Sequence, residues 1–325
     1  MASLPTQAVT FNLTTREIKK EPLDSFSFKT EKPEEIYWIH LNSLESALLE
    51  KARARLDLSE ELVGELTAVE SLPDLTEAEN HITLTLYYWL PPREGEEPAG
   101  ARRLMLHLTP RYCLTVAPDP IPALEAFNAT YTREFRFAQT TGFMLFLVLD
   151  NLVDDYGKML RTIDQTSEAI DDQIHIAFNE KLNTRILDLK RNIITLKRTV
   201  SSLRDILMRL SGRKIPVISE SCRQSLGDVY NHAQIATVQL ESLRELVSGS
   251  LDAYNAALSQ KMNETMKVLT LFASITLPMS LIAGIYGMNV PLPGSEHPLG
   301  LAIVLGLMIT SGVGLYAFFK KRGWF

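Results

Sequence analysis

The sequence predicts an α+β domain, a mixed sheet flanked by helices, followed by long stalk helices and two C-terminal transmembrane helices. Three observations carry this. Val268 to Met288 and Leu299 to Phe319 each hold twenty-one residues with no Asp, Glu, Lys, Arg or His. A bilayer core of about 30 Å takes roughly 20 helical residues, so each stretch fits one crossing. Before about Asn128, β-branched and aromatic runs alternate with short helical stretches, and from about Glu134 the chain turns helical and stays so.

The expected strands are Ala8 to Leu13, Ile36 to Leu41, Ile82 to Leu90, Leu104 to Leu108 and Tyr112 to Val116. Thr109-Pro110-Arg111 suits a hairpin turn between the last two. Short helices are expected at Leu44 to Leu56 and Glu60 to Leu66, and Pro91 to Pro98 is a polar, proline-rich loop. The apolar run Phe143 to Leu149 is too short to cross a bilayer and reads as a buried core helix. No glycine or proline interrupts helical periodicity between Lys158 and Leu210, whereas Ser211 to Pro216 supplies a C-cap glycine and a proline stop. Ser219 then caps a helix expected to run to Met288, about 100 Å at 1.5 Å per residue. Apolar positions from Val229 to Leu258 recur along it at helical spacings. Such a rod either transmits a cytoplasmic signal to the membrane or serves as a plain stalk. The division that follows is 1–133 α/β domain, 134–265 stalk, 266–288 first span, 289–298 outer loop, 299–319 second span and 320–325 basic tail.

Orientation comes from the flanks. Lys261 and Lys267 precede the first span, Lys320, Lys321 and Arg322 follow the second, and the loop between them has no Lys or Arg. The positive-inside rule therefore puts both chain ends in the cytoplasm. Trp324 and Phe325 fall at headgroup level. The basic triplet is either a topology anchor or a participant in ion conduction.

Composition excludes several classes. The net charge of −6 argues against nucleic acid, whose binding needs basic surface. Met1 to Thr15 lacks the apolar core of a signal peptide. Two distant cysteines, Cys113 and Cys222, fit a reducing cytoplasm and exclude a disulfide scaffold or cysteine zinc site. The six histidines form no H-E-x-x-H set, no Walker A motif occurs, and no nucleophile, base and oxyanion set can be argued from spacing. Asp154-Asp155 and Asp171-Asp172 read most simply as solvated faces.

A lone two-span hairpin encloses no channel, so transport requires several copies around an axis. The small-residue stripe Gly306, Thr310 and Gly314 suits close helix contact. Asn263, Met266, Thr270, Ala273, Leu277, Ser280, Gly284 and Gly287 form another stripe at steps of three or four. Polar and small side chains of this kind face either water or a tight helix contact. Pro278 frees a backbone carbonyl beside it. The stripe has no carboxylate, so a pore lined by it would pass Mg²⁺ at least partly hydrated, because Mg²⁺ gives up its water reluctantly. A ring of Asn289 amides suits that hydrated ion; alternatively Asn289 only caps the helix end.

Tyr286-Gly287-Met288-Asn289, Met266 to Thr270 and Ile282 to Ile285 closely resemble the signature of the CorA family of magnesium and cobalt transporters. The resemblance implies a homopentameric funnel in the inner (plasma) membrane carrying Mg²⁺, with Co²⁺ and Ni²⁺. It implies that Gly287, Met288 and Asn289 form the outer filter, and that Asn263, Met266 and Leu269 form or flank the inner constriction. Lys320, Lys321 and Arg322 would ring the cytoplasmic mouth. Asp228 matches a stalk position where family members bind a regulatory cation between subunits, and Glu60 is the nearest match to its partner acid. Ser59 stands where a further acid is common. The loop Val290 to Pro298 departs from the usual acidic pattern toward the ZntB zinc-transport branch, and His297 is a borderline zinc ligand. Zinc transport, coupled or not to protons, is therefore the alternative, and a non-conducting membrane-tethered sensor a third reading.

Overall fold

The computed structural model describes residues 4–26, 32–56, 58–67, 72–90, 101–174, 180–288 and 299–324. The expected loops at 91–98 and 289–298 lie outside them. Two compact units are present. The first comprises residues 1–173 with 180–250, and the second comprises 174–179 with 251–325.

In the first unit seven strands make one sheet: β1 (Gln7–Asn12), β2 (Ile18–Glu21), β3 (Glu35–Leu41), β4 (Asp74–Glu77), β5 (Ile82–Trp89), β6 (Ala101–Leu108) and β7 (Tyr112–Val116). Their order is β2-β1-β3-β7-β6-β5-β4, with β3 and β7 parallel and every other pair antiparallel. The sheet is therefore mixed, as its sequence suggests. The expected hairpin is present, closed by Thr109 N–H donating to the Tyr112 carbonyl at 2.9 Å.

Helices cover both faces, so β3 is buried along almost its whole length rather than alternating. On one side α1 (Ser46–Leu56) and α2 (Glu60–Thr67) pack Leu49, Leu56, Leu62 and Leu66 against Tyr37, Ile39, Leu114 and Val116. On the other, α3 (Pro122–Glu134) sets Phe127 and Tyr131 edge-on to Trp38, with ring centroids 4.5 and 5.4 Å away. Helix α3 begins before the helical region expected from about Glu134. Pro122, in its first turn, fits there because that turn needs no N–H bond.

The stretch expected as one helix between Lys158 and Leu210 is instead two, α4 (Thr141–Ile174) and α5 (Glu180–Gly212). Arg185 Nη1 donates to Gln173 Oε1 at 2.8 Å. Twelve residues of continuous helix would hold these residues about 18 Å apart, so the chain has reversed between them. Helix α6 (Glu220–Tyr286) starts where expected, with Cys222 N–H donating to the Ser219 hydroxyl at 3.3 Å. Bonds Lys197–Glu241 and Arg204–Gln234 set α5 antiparallel to α6, whereas Cys222–Gly142 and Ser250–Asp171 set α4 parallel to it.

These helices bury heptad seams. On α6 Cys222, Leu226, Val229, Ala233, Ala236, Leu240, Leu243, Val247, Ser250 and Tyr254 are buried in steps of four and three. Helix α5 repeats this from Leu182 through Ile186, Leu189, Ile193 and Leu196 to Leu210. A 3.5-residue period is that of left-handed coiled-coil packing. Ile235, Val238 and Leu246, counted among the apolar stalk positions, lie outside this seam and are more than half exposed.

Two histidines sit neutral inside the sheet. His40 Nδ1 lies 2.9 Å from Thr115 Oγ1, and His107 Nδ1 lies 2.9 Å from Thr83 Oγ1, with the His81 ring beside it. Burial drives both down to about 4, aided at His107 by His81 and opposed at His40 by a backbone hydrogen bond involving Leu4. Between about pH 6.5 and 4 the unfolded chain therefore binds protons that the fold refuses. Stability must fall as pH drops through that window, by roughly 3 kcal/mol per histidine at the limit. Thermal melting followed by circular dichroism should show a lower midpoint at pH 4.5 than at pH 7, and His107→Gln should reduce the difference. An equal drop in that variant would assign the acid sensitivity elsewhere.

Candidate ion pathway

The second unit contains the apolar end of α6 and all of α7 (Gly300–Lys321), two helices long and apolar enough to cross a membrane. Their surfaces are unlike those of a soluble core: Leu269 is 68% exposed, Phe272 70% and Leu301 75%. Apolar area on this scale needs lipid or further protein around it.

From Leu271 onward α6 is covered on one side. Leu271 is buried, and Ser274, Ile275, Pro278, Met279 and Ile282 are half-buried. On α7 the covered residues are Val304, Met308, Ser311, Gly312, Leu315 and Phe319. Gly312 is a point of close approach, because a Cβ there would stand 2.6 Å from Met279 Cε. The stripe Gly306, Thr310 and Gly314 is exposed, and the Thr310 hydroxyl donates back to the Gly306 carbonyl at 2.7 Å. The helix contact inside the chain is thus made by a glycine off that stripe.

At 100° per residue, these covered residues of α6 span about 140° of arc, and the mean direction of the other stripe lies about 150° around from them. Asn263, Met266, Leu269, Ala273, Leu277, Ser280, Gly284 and Gly287 are exposed, and Thr270 is half-buried. Helix α6 therefore presents two opposed faces, one taken by α7 and one bare, uncharged and rich in small or polar side chains. The helix continues through Pro278, whose missing N–H leaves the Ser274 carbonyl without its intrahelical donor.

The end of α6 is tightly wound. Gly287 N–H donates to the Ala283 carbonyl at 2.9 Å, Met288 N–H donates to Ile285 at 3.3 Å, and a Cβ on Gly287 would stand only 2.9 Å from the Ala283 oxygen. Asn289 lies outside the described residues, as does His297. At the far end of the hairpin Lys320, Lys321 and Arg322 are exposed, and the Arg322 guanidinium lies 5.3 Å from the centre of the Phe318 ring.

Asp228 and Glu60 are both exposed side chains of the first unit. Ser59, at the position where a further acid is common, caps α2 instead, its hydroxyl accepting the Leu62 N–H at 3.1 Å. Among the described residues no three His, Cys, Asp or Glu side chains come together to hold a metal. Cys113 and Cys222 are buried free thiols, pushed up to about 12 by that burial, which makes them inert.

A family model described as CorA-like Mg²⁺ transporter protein matches residues 33–321. The chain belongs to this family. Over 207 residues it is 34% identical to the cobalt/magnesium transport protein CorA of Thermotoga maritima, covering 63% of this chain and 58% of that one. Its fold matches the complete structure of the CorA magnesium transporter from Methanocaldococcus jannaschii, with a TM-score of 0.84, full coverage of both chains and 22% identity. It is also 24% identical over 185 residues to the zinc transport protein ZntB of Pectobacterium carotovorum, covering 56% of this chain and 55% of that one. The chain spans about 58% of the length of the Thermotoga relative, and the relatives named here are transport proteins for cobalt, magnesium or zinc.

Proposed function

We propose that the chain forms a homopentamer in the plasma membrane, with both termini cytoplasmic, and that it passes Mg²⁺, with Co²⁺ and Ni²⁺, through a pore lined by α6. The observation that carries this is the bare, uncharged stripe on α6, set opposite the face covered by α7. Several copies placed around an axis leave that stripe facing inward and α7 facing lipid. Gly287, Met288 and Asn289 then form the outer filter, where amide oxygens accept hydrogen bonds from the ion's water shell. Asn263, Met266 and Leu269 narrow the inner end, with Lys320, Lys321 and Arg322 around the cytoplasmic mouth. Without a nucleotide site, the driving force is the gradient and the membrane potential, which contributes about 4.6 kcal/mol per 100 mV for a divalent ion.

Flux into liposomes, measured for Mg²⁺, Co²⁺, Ni²⁺ and Zn²⁺ with and without a pH gradient, tests the proposal. Mg²⁺ and Co²⁺ should enter independently of the gradient. Zinc transport is the second reading, supported by the likeness to ZntB, and uptake of Zn²⁺ alone would establish it in place of the first.

Regulation is assigned to Asp228, with Glu60 of an adjacent copy as its partner. Mg²⁺ between the two carboxylates holds copies together, and its loss leaves like charges facing one another. Asp228→Lys should raise the internal Mg²⁺ concentration needed to inhibit flux by about tenfold, a typical coupling between sites. Unchanged inhibition would remove Asp228 from the mechanism.

A further inference from the structure

An open groove of about 640 Å³ lies beside α6 just before its uncharged segment begins, lined by Gln260, Glu264, Lys267 and Trp324. Asn263 and Met266 of the inner constriction line it too, as does Thr270 of the same stripe. Three features mark its charged end. Glu264 and Lys267 are one helical turn apart, yet among the described residues they form no ion pair with each other or with any other side chain. Glu264 accepts only a long bond, 3.4 Å, from Gln260 Nε2. Trp324 is held in place, its backbone N–H donating to the Phe319 carbonyl at 3.2 Å and its ring centroid 5.1 Å from that of Phe319.

Depth decides what such a groove meets. Val268 opens the apolar span, so Lys267 and Glu264 stand at the level of lipid headgroups, and an indole beside them sits where tryptophan anchors to the interface. On the helical wheel Lys267 lies about 100° and Glu264 about 160° from the mean direction of the pore stripe, with Lys267 about 40° from Asn263 at the stripe's edge. A cation and an anion one turn apart, neither neutralised, match a headgroup with both charges. We propose that this groove binds a phospholipid with a primary-amine headgroup, its phosphate on Lys267, its ammonium on Glu264 and its glycerol region against Trp324. The lipid would adjoin Asn263 and Met266, so headgroup composition would bear on the inner constriction. The inference rests on α6 entering the bilayer at Val268, and not on which ion is carried.

Native mass spectrometry of the full chain in detergent, offered equal amounts of phosphatidylethanolamine, phosphatidylcholine and phosphatidylglycerol, tests it. Phosphatidylethanolamine should be retained about tenfold over phosphatidylcholine, whose quaternary ammonium has no N–H to donate to Glu264. Glu264→Gln should abolish that preference. Lys267→Ala should weaken retention of phosphatidylethanolamine and phosphatidylglycerol alike, with Lys267→Arg restoring it. Equal retention of the three lipids by the unmodified chain would overturn the proposal, as would an unchanged preference in Glu264→Gln. Displacement by millimolar soluble phosphoethanolamine would reassign the groove to a free metabolite. Retention is read without ion flux, so an impermeable protein would sink the pore reading and leave this result standing.

Discussion

Placing lysine at position 280 should reduce Mg²⁺ flux at least about a hundredfold, while aspartate at the same position should leave the pathway open to cations. Ser280 is exposed and lies on the stripe opposite the face of α6 that α7 covers. A positive charge about 8 Å from a divalent ion, at an effective dielectric near 20, raises the ion's energy by about 4 kcal/mol. Each copy around the axis would add its own charge, so a hundredfold is a lower bound. Aspartate reverses the sign and should lower the Mg²⁺ concentration that half-saturates flux. A lipid-facing position would behave otherwise. There either charge costs about 2.5–3.5 kcal/mol to insert, and both variants would lose assembly together. Flux from reconstituted Ser280→Lys and Ser280→Asp therefore reads the environment directly, and equal losses in the two would show that the stripe does not face the ion.

The membrane hairpin was legible because length and the absence of charge are one-dimensional properties. Val268 to Met288 needs no knowledge of its neighbours to be recognised as a span. The stripe was equally legible as a periodicity, but its meaning depends on what covers the remaining faces of α6. That requires α7, and the contact within the chain is made at a glycine the pattern did not single out. Gly306, Thr310 and Gly314 share a face at regular four-residue steps, whereas Gly312 meets Met279 across the hairpin. What could have marked Gly312 is its place among Val304, Met308, Leu315 and Phe319, which recur at three and four.

The misses in the first unit have two causes. Strands β2 and β4 read Ile-Lys-Lys-Glu and Asp-Leu-Thr-Glu, with almost no apolar content, because they are the sheet's two edges. Edge strands carry charge to resist pairing with other chains, and this removes the signal by which strands are found. The reversal between α4 and α5 was hidden because residues 158–210 contain no glycine or proline. Steps of four and three are present on both sides of it, Ile163, Ser167, Ile170 and Ile174 on one and Leu182, Ile186 and Leu189 on the other. Each seam closes only when its helix has a neighbour, so the repeat implies partners that a single long helix could not supply.

Gly287→Ala should cut flux by at least about tenfold without unfolding the protein. The added Cβ would stand 2.9 Å from the Ala283 carbonyl oxygen, the same atom that accepts the Gly287 N–H at 2.9 Å. Backbone cannot move aside as a flexible side chain would, so the last turn of α6 must open and carry Met288 and the residues after it to a new position. Distortion of this kind costs about 1–3 kcal/mol, too little to unfold the chain but enough to misplace groups that must meet an ion within fractions of an ångström. Gly284→Ala is the internal comparison: it lies on the same stripe, three residues earlier, inside regular helix, and beyond its own helix backbone a Cβ there meets nothing within 4 Å. Its effect on flux should be several-fold smaller than that of Gly287→Ala, since a methyl group is added without moving the backbone. Circular dichroism and the assembly's elution volume should be unchanged in both. Were Gly287→Ala to conduct as well as Gly284→Ala, the tight end of α6 would have no part in placing the filter.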